Sequence, residues 1–301
     1  MYVIFGASGQ VGRATITALR GAGHAVRAVV RDASRAERLV RLGCDVVVAD
    51  LDDAASVTQA LRGAHAVQVL CPLRYNAPDL AAAMRRTVEA TANGLRHYGG
   101  VPVVVLSDYG AQIDAGAGFA TCFHQLEAAF VDAVPHVTLL RSAQHMENWV
   151  RLVPDALETG RLPSLQHPLD APMPMVSAAD VGAVSAELLT AGLAREGRRL
   201  VSVEGPRRFS ALDVAQRLGD VAQREISAFA LPRDAWEPTL RSAGLSASLI
   251  QLVIETNDAQ NDGRIDVEPG SERRFGTTDL RDVLAALVAQ RVSSSPSRKI
   301  S

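Results

Sequence analysis

YVIFGASGQVGRAT, residues 2–15, decides how the rest of this chain is read. Its first four residues are apolar and read as a short buried strand; the pattern after Gly9 reads as a helix. Gly6, Gly9 and Gly12 stand between them at intervals of three. The first permits a tight turn, the second lets the backbone approach a pyrophosphate, and the third lets the helix pack closely on the sheet. Backbone N–H groups at a helix start lack intrahelical acceptors and point toward an anion. Ala7 and Val11 complete the turn, and Ser8 and Gln10 add side-chain donors. A strand before and a helix after give this spacing the context in which it means dinucleotide binding.

Working outward, HAVRAVV (24–30), CDVVVAD (44–50), HAVQVLC (65–71), VPVVVLS (101–107) and HVTLLR (136–141) alternate with helical patterns. Near-continuous Val/Leu runs between helices predict a parallel sheet covered on both faces. Right-handed crossovers then give an α/β, Rossmann-type doubly wound fold. After residue 141 the rhythm changes. Helices are expected over 146–160, 178–192, 210–220 (capped by Ser210), 232–244, 246–263 and 277–291, with strands over 198–205 and 224–231. The proline-rich stretch 161–177 is expected as an irregular loop over a cleft. These elements suggest a nucleotide-binding domain of 1–144 plus 171–199, a smaller C-terminal α/β substrate-binding region of 145–170 plus 200–292, and a flexible tail at 293–301. No internal repeat is present.

Composition narrows the function. Of 301 residues, 48% are hydrophobic and 21% charged, enough for a buried core. The formal charge of -2 gives no broad basic face, which argues against direct nucleic-acid binding. Cys44, Cys71 and Cys122 are odd in number and lack metal-ligand spacing, so reduced thiols of a cytoplasmic protein and no metal site are expected. The start carries no signal-peptide pattern, and no run of 18 apolar residues predicts a membrane span. The single lysine is Lys299, which removes lysine from any chemistry in the body of the chain.

The second strand ends in AVVRDAS, 28–34. The Arg31 guanidinium suits a 2'-phosphate, favouring NADP(H) over NAD(H), with Arg35 one turn on; Asp32 keeps NAD(H) open. Asp50 and Leu51 would meet the adenine, and Cys71 and Pro72 would lie beside the cofactor's inner ribose. Ser107 could bond the cofactor or a substrate oxygen. Tyr109 could donate a proton or stack, and Tyr75 could form a pocket wall. His124 and Glu127, three apart on one helix, form either a proton donor with its orienting carboxylate or a surface pair. His145 could donate a proton, His145 or Asn148 could touch substrate, and Arg141 and Glu147 could tie down the loop between layers.

Taken with VVVLSDYGA (103–111), the His–x–x–Glu pair, VTLLRSAQHMENW (137–149) and VEGPRRFSALDVAQRLG (203–219), the glycine motif makes the chain resemble the NmrA-like group of atypical short-chain dehydrogenases/reductases, in its NADPH-dependent quinone reductase-like branch. The resemblance covers nearly the full length. It implies phosphate contacts from Gly6, Gly9, Gly12 and Arg31, cofactor contacts at 71–73 and a substrate cleft at 142–148. Arg141-Ser142-Ala143 replaces the group's usual Arg–Pro–Gly, and no Tyr–x–x–x–Lys pair exists. Members are implied to transfer hydride directly to a small electrophile such as a quinone, or to act as non-catalytic NADP(H)-binding redox sensors; a specialised imine or ene reductase is a further alternative. The expected partner is a small aromatic or quinone-like substrate, and the expected state a monomer or homodimer.

Overall fold

The computed structural model describes residues 1–191 and 197–294; the expected tail lies, from 295 onward, outside the described residues. Strands β1 (Tyr2–Ile4), β2 (Val26–Val30), β3 (Asp45–Val48), β4 (Ala66–Val69), β5 (Val103–Asp108) and β6 (His136–Ser142) alternate with helices α1 (Gln10–Gly21), α2 (Glu37–Arg41), α3 (Ala54–Ala60), α4 (Leu80–Tyr98) and α5 (Phe119–Ala133). Then come β7 (Gln144–His145), α6 (Val153–Thr159), β8 (Arg161–Ser164), β9 (Met175–Val176), α7 (Ala178–Ala191), β10 (Gly197–Glu204), α8 (Ala211–Ala222), β11 (Ser227–Ala230), α9 (Trp236–Ser242), α10 (Ala247–Asn261), β12 (Glu272–Phe275) and α11 (Leu280–Ser294).

The large sheet has eight strands in the order β12-β10-β6-β5-β4-β1-β2-β3, and every pairing in it is parallel. Alternate side chains leave opposite faces of each strand. Val103 and Val105 join Phe5, Leu95 and Phe130 on the side of α3–α5. Val104 and Leu106 join Ile16, Leu19, Val181 and Leu188 on the side of α1 and α7. Both faces are therefore dry, as the unbroken valine runs require.

Three boundaries differ from the sequence reading. The helix expected over 146–160 splits into a 3-10 turn, Met146–Arg151, and α6, because Pro154 in the first turn of α6 has no N–H to continue a helix through it. The loop expected at 161–177 contains β8, paired with β11, and β9, paired with β7. Strands β10 and β12, from the stretch expected in the smaller region, extend the large sheet beside β6. The sequence predicted a strand where β10 lies and none over 272–275; pairing alone puts both in the large sheet.

The smaller layer has its own core of Met146, Trp149, Val153, Leu162, Met175, Phe209, Leu218 and Leu284. Ser210 and Asp213 form the capping box that starts α8. The 163–175 segment is fixed to this layer. Asn261 bonds the Leu165 carbonyl at 2.9 Å and the His167 N–H at 3.1 Å, and the His167 ring stacks on Trp236. Among the described residues no helix is long and apolar enough to cross a membrane, and no cluster of three or more metal-ligating side chains exists.

Candidate functional site

The turn between β1 and α1 is shaped by what a side chain would strike. Gly6 has φ of +71° and an added Cβ would lie 2.7 Å from Leu70; one on Gly12 would sit inside the Gly6 carbonyl oxygen. Gly9 N–H bonds the Gly6 carbonyl at 2.9 Å, closing the turn. Helix α1 begins with no side-chain cap and no carboxylate in its first turn. Its dipole and N–H groups are thus left for an external anion, so the residues present fit a dinucleotide pyrophosphate.

At the end of β2, Arg31 is exposed and makes no ion pair among the described residues. Asp32 is spent on its own turn: it accepts from the Ser34 N–H at 2.8 Å and the Ser34 hydroxyl at 2.7 Å, bonds that hold its carboxyl below the usual range. A free guanidinium beside an occupied carboxylate suits a 2'-phosphate better than a bare ribose. Asp50 is exposed, accepting the Asp52 N–H, whereas Leu51 is buried in the core. Cys71 is buried with its thiol pushed up to about 12, and Pro72 and Leu73 are half-buried at the strand end.

Ser107, Glu127 and Arg141 form a buried unit. The Ser107 hydroxyl donates to Glu127 Oε1 at 2.6 Å, and Arg141 binds both Glu127 oxygens at 2.7 Å. Arg141 also reaches Gln112 and Glu268. Two expectations change. Glu127 does not orient His124, whose Nδ1 instead lies 3.0 Å from the Ala111 carbonyl. The Ser107 hydroxyl is engaged with Glu127 rather than open to a ligand. Tyr109 is only 2% exposed, and its hydroxyl is buried without a hydrogen-bond partner; burial drives its pKa upward. Its ring is core, which leaves it poorly placed as the proton donor the sequence suggested.

Asp108 and Ser142 are register partners on β5 and β6, so their side chains leave the same face. The Ser142 hydroxyl donates to the Ser107 carbonyl at 3.3 Å and lies 3.2 Å from His145 Nε2. Burial pushes His145 down to about 4, so it is neutral at pH 7 and no acid. Burial pushes Asp108 up to about 7, against a bond from the Tyr109 N–H. Asp108 is thus a carboxyl that burial raises toward neutral pH at these strand ends. Its proton affinity depends on burial, which no local sequence pattern reports. Glu147 caps α7 by accepting the Ala178 N–H at 3.0 Å, and Asn148 is exposed. Tyr75, 43% exposed, lies under the Arg151 guanidinium, 5.0 Å from the ring centroid. A separate open groove, lined by Leu212, Gly219, Arg224 and Ile226 among others, includes none of these residues.

Two known proteins match this chain over most of its length. An NAD(P)H azoreductase from Xenophilus azovorans is 23% identical over 258 residues, 85% of each chain. Quinone oxidoreductase 2 of Escherichia coli is 24% identical over 265 residues, 87% of this chain and 89% of the relative. Among solved structures, the E. coli NADPH-dependent quinone oxidoreductase complexed with NADPH superimposes with a TM-score of 0.81 at 22% identity, covering 96% of this chain and 100% of the other. Citrobacter triphenylmethane reductase complexed with NADP(H) gives 0.77 at 17% identity, covering 95% and 100%. These likenesses confirm the Rossmann-type fold. The NmrA-like family profile spans residues 2–274, and with the glycine turn and sheet order described above the chain belongs to the NmrA-like family.

Proposed function

We propose that this protein is an NADP(H)-dependent reductase of small, flat electrophiles of the quinone or azo class. The observation that carries the reading is the pairing of an open anion cradle at the start of α1 with Asp108, a carboxyl raised toward neutral pH, at the end of β5. The similarity to an azoreductase and a quinone oxidoreductase over 85–89% of their lengths supports the same class.

Residues 6–12 hold the pyrophosphate, and Arg31 selects the 2'-phosphorylated form. When bound, a reduced nicotinamide would supply a hydride. Hydride addition to a quinone gives a stabilised phenolate, which needs only a weak acid. Asp108, protonated in part of the molecules near pH 7, gives that proton. His145 stays neutral and, with the Ser142 hydroxyl, fixes the shape of the β6 end. An unactivated ketone would build up a basic alkoxide, and the described residues hold no Tyr–Lys pair to meet it.

The test is NADPH oxidation followed at 340 nm against a panel of quinones and azo dyes, with NADH in parallel. Turnover with NADPH preferred is the expected result. Tight NADP(H) binding without turnover of any acceptor would overturn it in favour of a nucleotide-sensing role.

A further inference from the structure

Tyr75 lies in the loop after β4, and Arg151 ends the 3-10 turn that follows β7, just beyond β6; β4 and β6 flank β5, whose end carries Asp108. Their contact therefore joins the two sides of the crevice. The Tyr75 loop is anchored one residue earlier, where Arg74 pairs with Asp52 at 2.7 Å and Asp52 in turn accepts from Thr87. The Arg151 turn is anchored by Met146 and Trp149, both buried in the smaller layer's core. Two fixed supports thus present two exposed side chains to each other.

Arg151 is the informative partner. It is exposed and pairs with no carboxylate among the described residues; its contact is with the Tyr75 ring. The guanidinium carbon lies over the aromatic face at 5.0 Å, a contact that uses the cation's charge and spends none of its N–H donors on a carboxylate. Those donors match the paired oxygens of a carboxylate or sulfonate. The exposed part of the tyrosine ring offers a flat aromatic surface beside them.

We infer that Tyr75 and Arg151 form an acceptor clamp selective for flat aromatic substrates carrying an anionic substituent, the ring stacking on Tyr75 and the sulfonate or carboxylate taken by Arg151. The inference rests on the reductase reading for its place in catalysis, but the clamp can be tested by binding alone.

The probes are 1,2-naphthoquinone-4-sulfonate and unsubstituted 1,2-naphthoquinone, titrated calorimetrically into the NADP+-saturated protein. The sulfonate is expected to bind about five times more tightly, a ratio of the size an ion pair near a surface gives. That ratio should shrink in 0.5 M salt, fall to about one in Arg151→Gln, and persist in Tyr75→Phe. Tyr75→Ala should weaken both ligands. Circular dichroism and melting of each variant establish that it is folded. Equal affinity of the two probes for the wild type, or a preference that survives Arg151→Gln, overturns the clamp. A sulfonate preference that vanishes in Arg151→Gln, in a protein that oxidises no NADPH with these probes or with any acceptor of the quinone and azo panel, upholds the clamp and overturns the reductase reading instead.

Discussion

Arg141 and Glu127 face each other through two parallel N–H···O bonds of 2.7 Å, 3% and 5% exposed, and together they fasten α5 to β5 and β6. A buried pair of this kind is sensitive to loss of one member, because the other charge stays desolvated. Arg141→Met leaves Glu127 with only the Ser107 hydroxyl and should cost about 3–5 kcal/mol in urea unfolding. Pairing it with Glu127→Leu should recover much of that loss. A single Arg141→Met protein as stable as wild type would show that the pair does not hold the layer.

Arg31 has a narrower role. Arg31→Ala should weaken NADPH binding about tenfold or more, the size expected for losing charge-assisted hydrogen bonds, while NADH affinity stays the same. Titration of both nucleotides checks this; unchanged discrimination would remove Arg31 from the cofactor site.

Gly12 tests the cradle through packing. Gly12→Ala forces a methyl into the Gly6 carbonyl and should cost about 1–3 kcal/mol, with lowered NADPH affinity. Gly21→Ala, at the end of the same helix with nothing within 4 Å of the added carbon, should be neutral or stabilise by about 0.4–1 kcal/mol. Thermal melts and calorimetry on the two variants separate cradle geometry from simple helix propensity.

Asp108 sets a pH dependence whose sign can be worked out. Its folded value, about 7, lies above the ordinary 3.8, so the native chain holds this proton more tightly than the unfolded chain does. Its contribution to stability is complete below the ordinary value and is lost as pH rises toward and through 7. Asp108→Asn should remove that decline. Quinone reduction should likewise fall above pH 7 in the wild type and become slow but flat with pH in Asp108→Asn. Matching pH profiles for the two proteins would exclude Asp108 as the proton source.

Much of the nucleotide half was legible because its signals are local. The valine runs, the spacing of Gly6, Gly9 and Gly12, and Arg31 at a strand tip each carry their meaning within a few residues. What was not legible depends on partners far along the chain. Glu127 reads equally well beside His124, three residues away, as beside Arg141, fourteen residues on; only the pairing of β5 with β6 decides between them. Tyr109 looks like an acid in sequence and is a core ring in the fold. The approach of Arg151 to Tyr75 crosses 76 positions and follows no motif. Strand β10 was read as a strand but not as part of the large sheet, because a sequence pattern does not say which edge receives it; β12, Glu-Arg-Arg-Phe, has no apolar run to announce it and is made a strand by its pairing with β10.

That edge has a mechanical result. The chain enters the smaller layer after β6, leaves it for α7 and β10, returns through α8 to α10, and leaves again for β12. A layer sewn to the sheet by so many passages has no single flexible joint about which to swing. Accommodation of differently sized molecules must then come from rotation of individual side chains along the rim, and heat should melt both halves in one step.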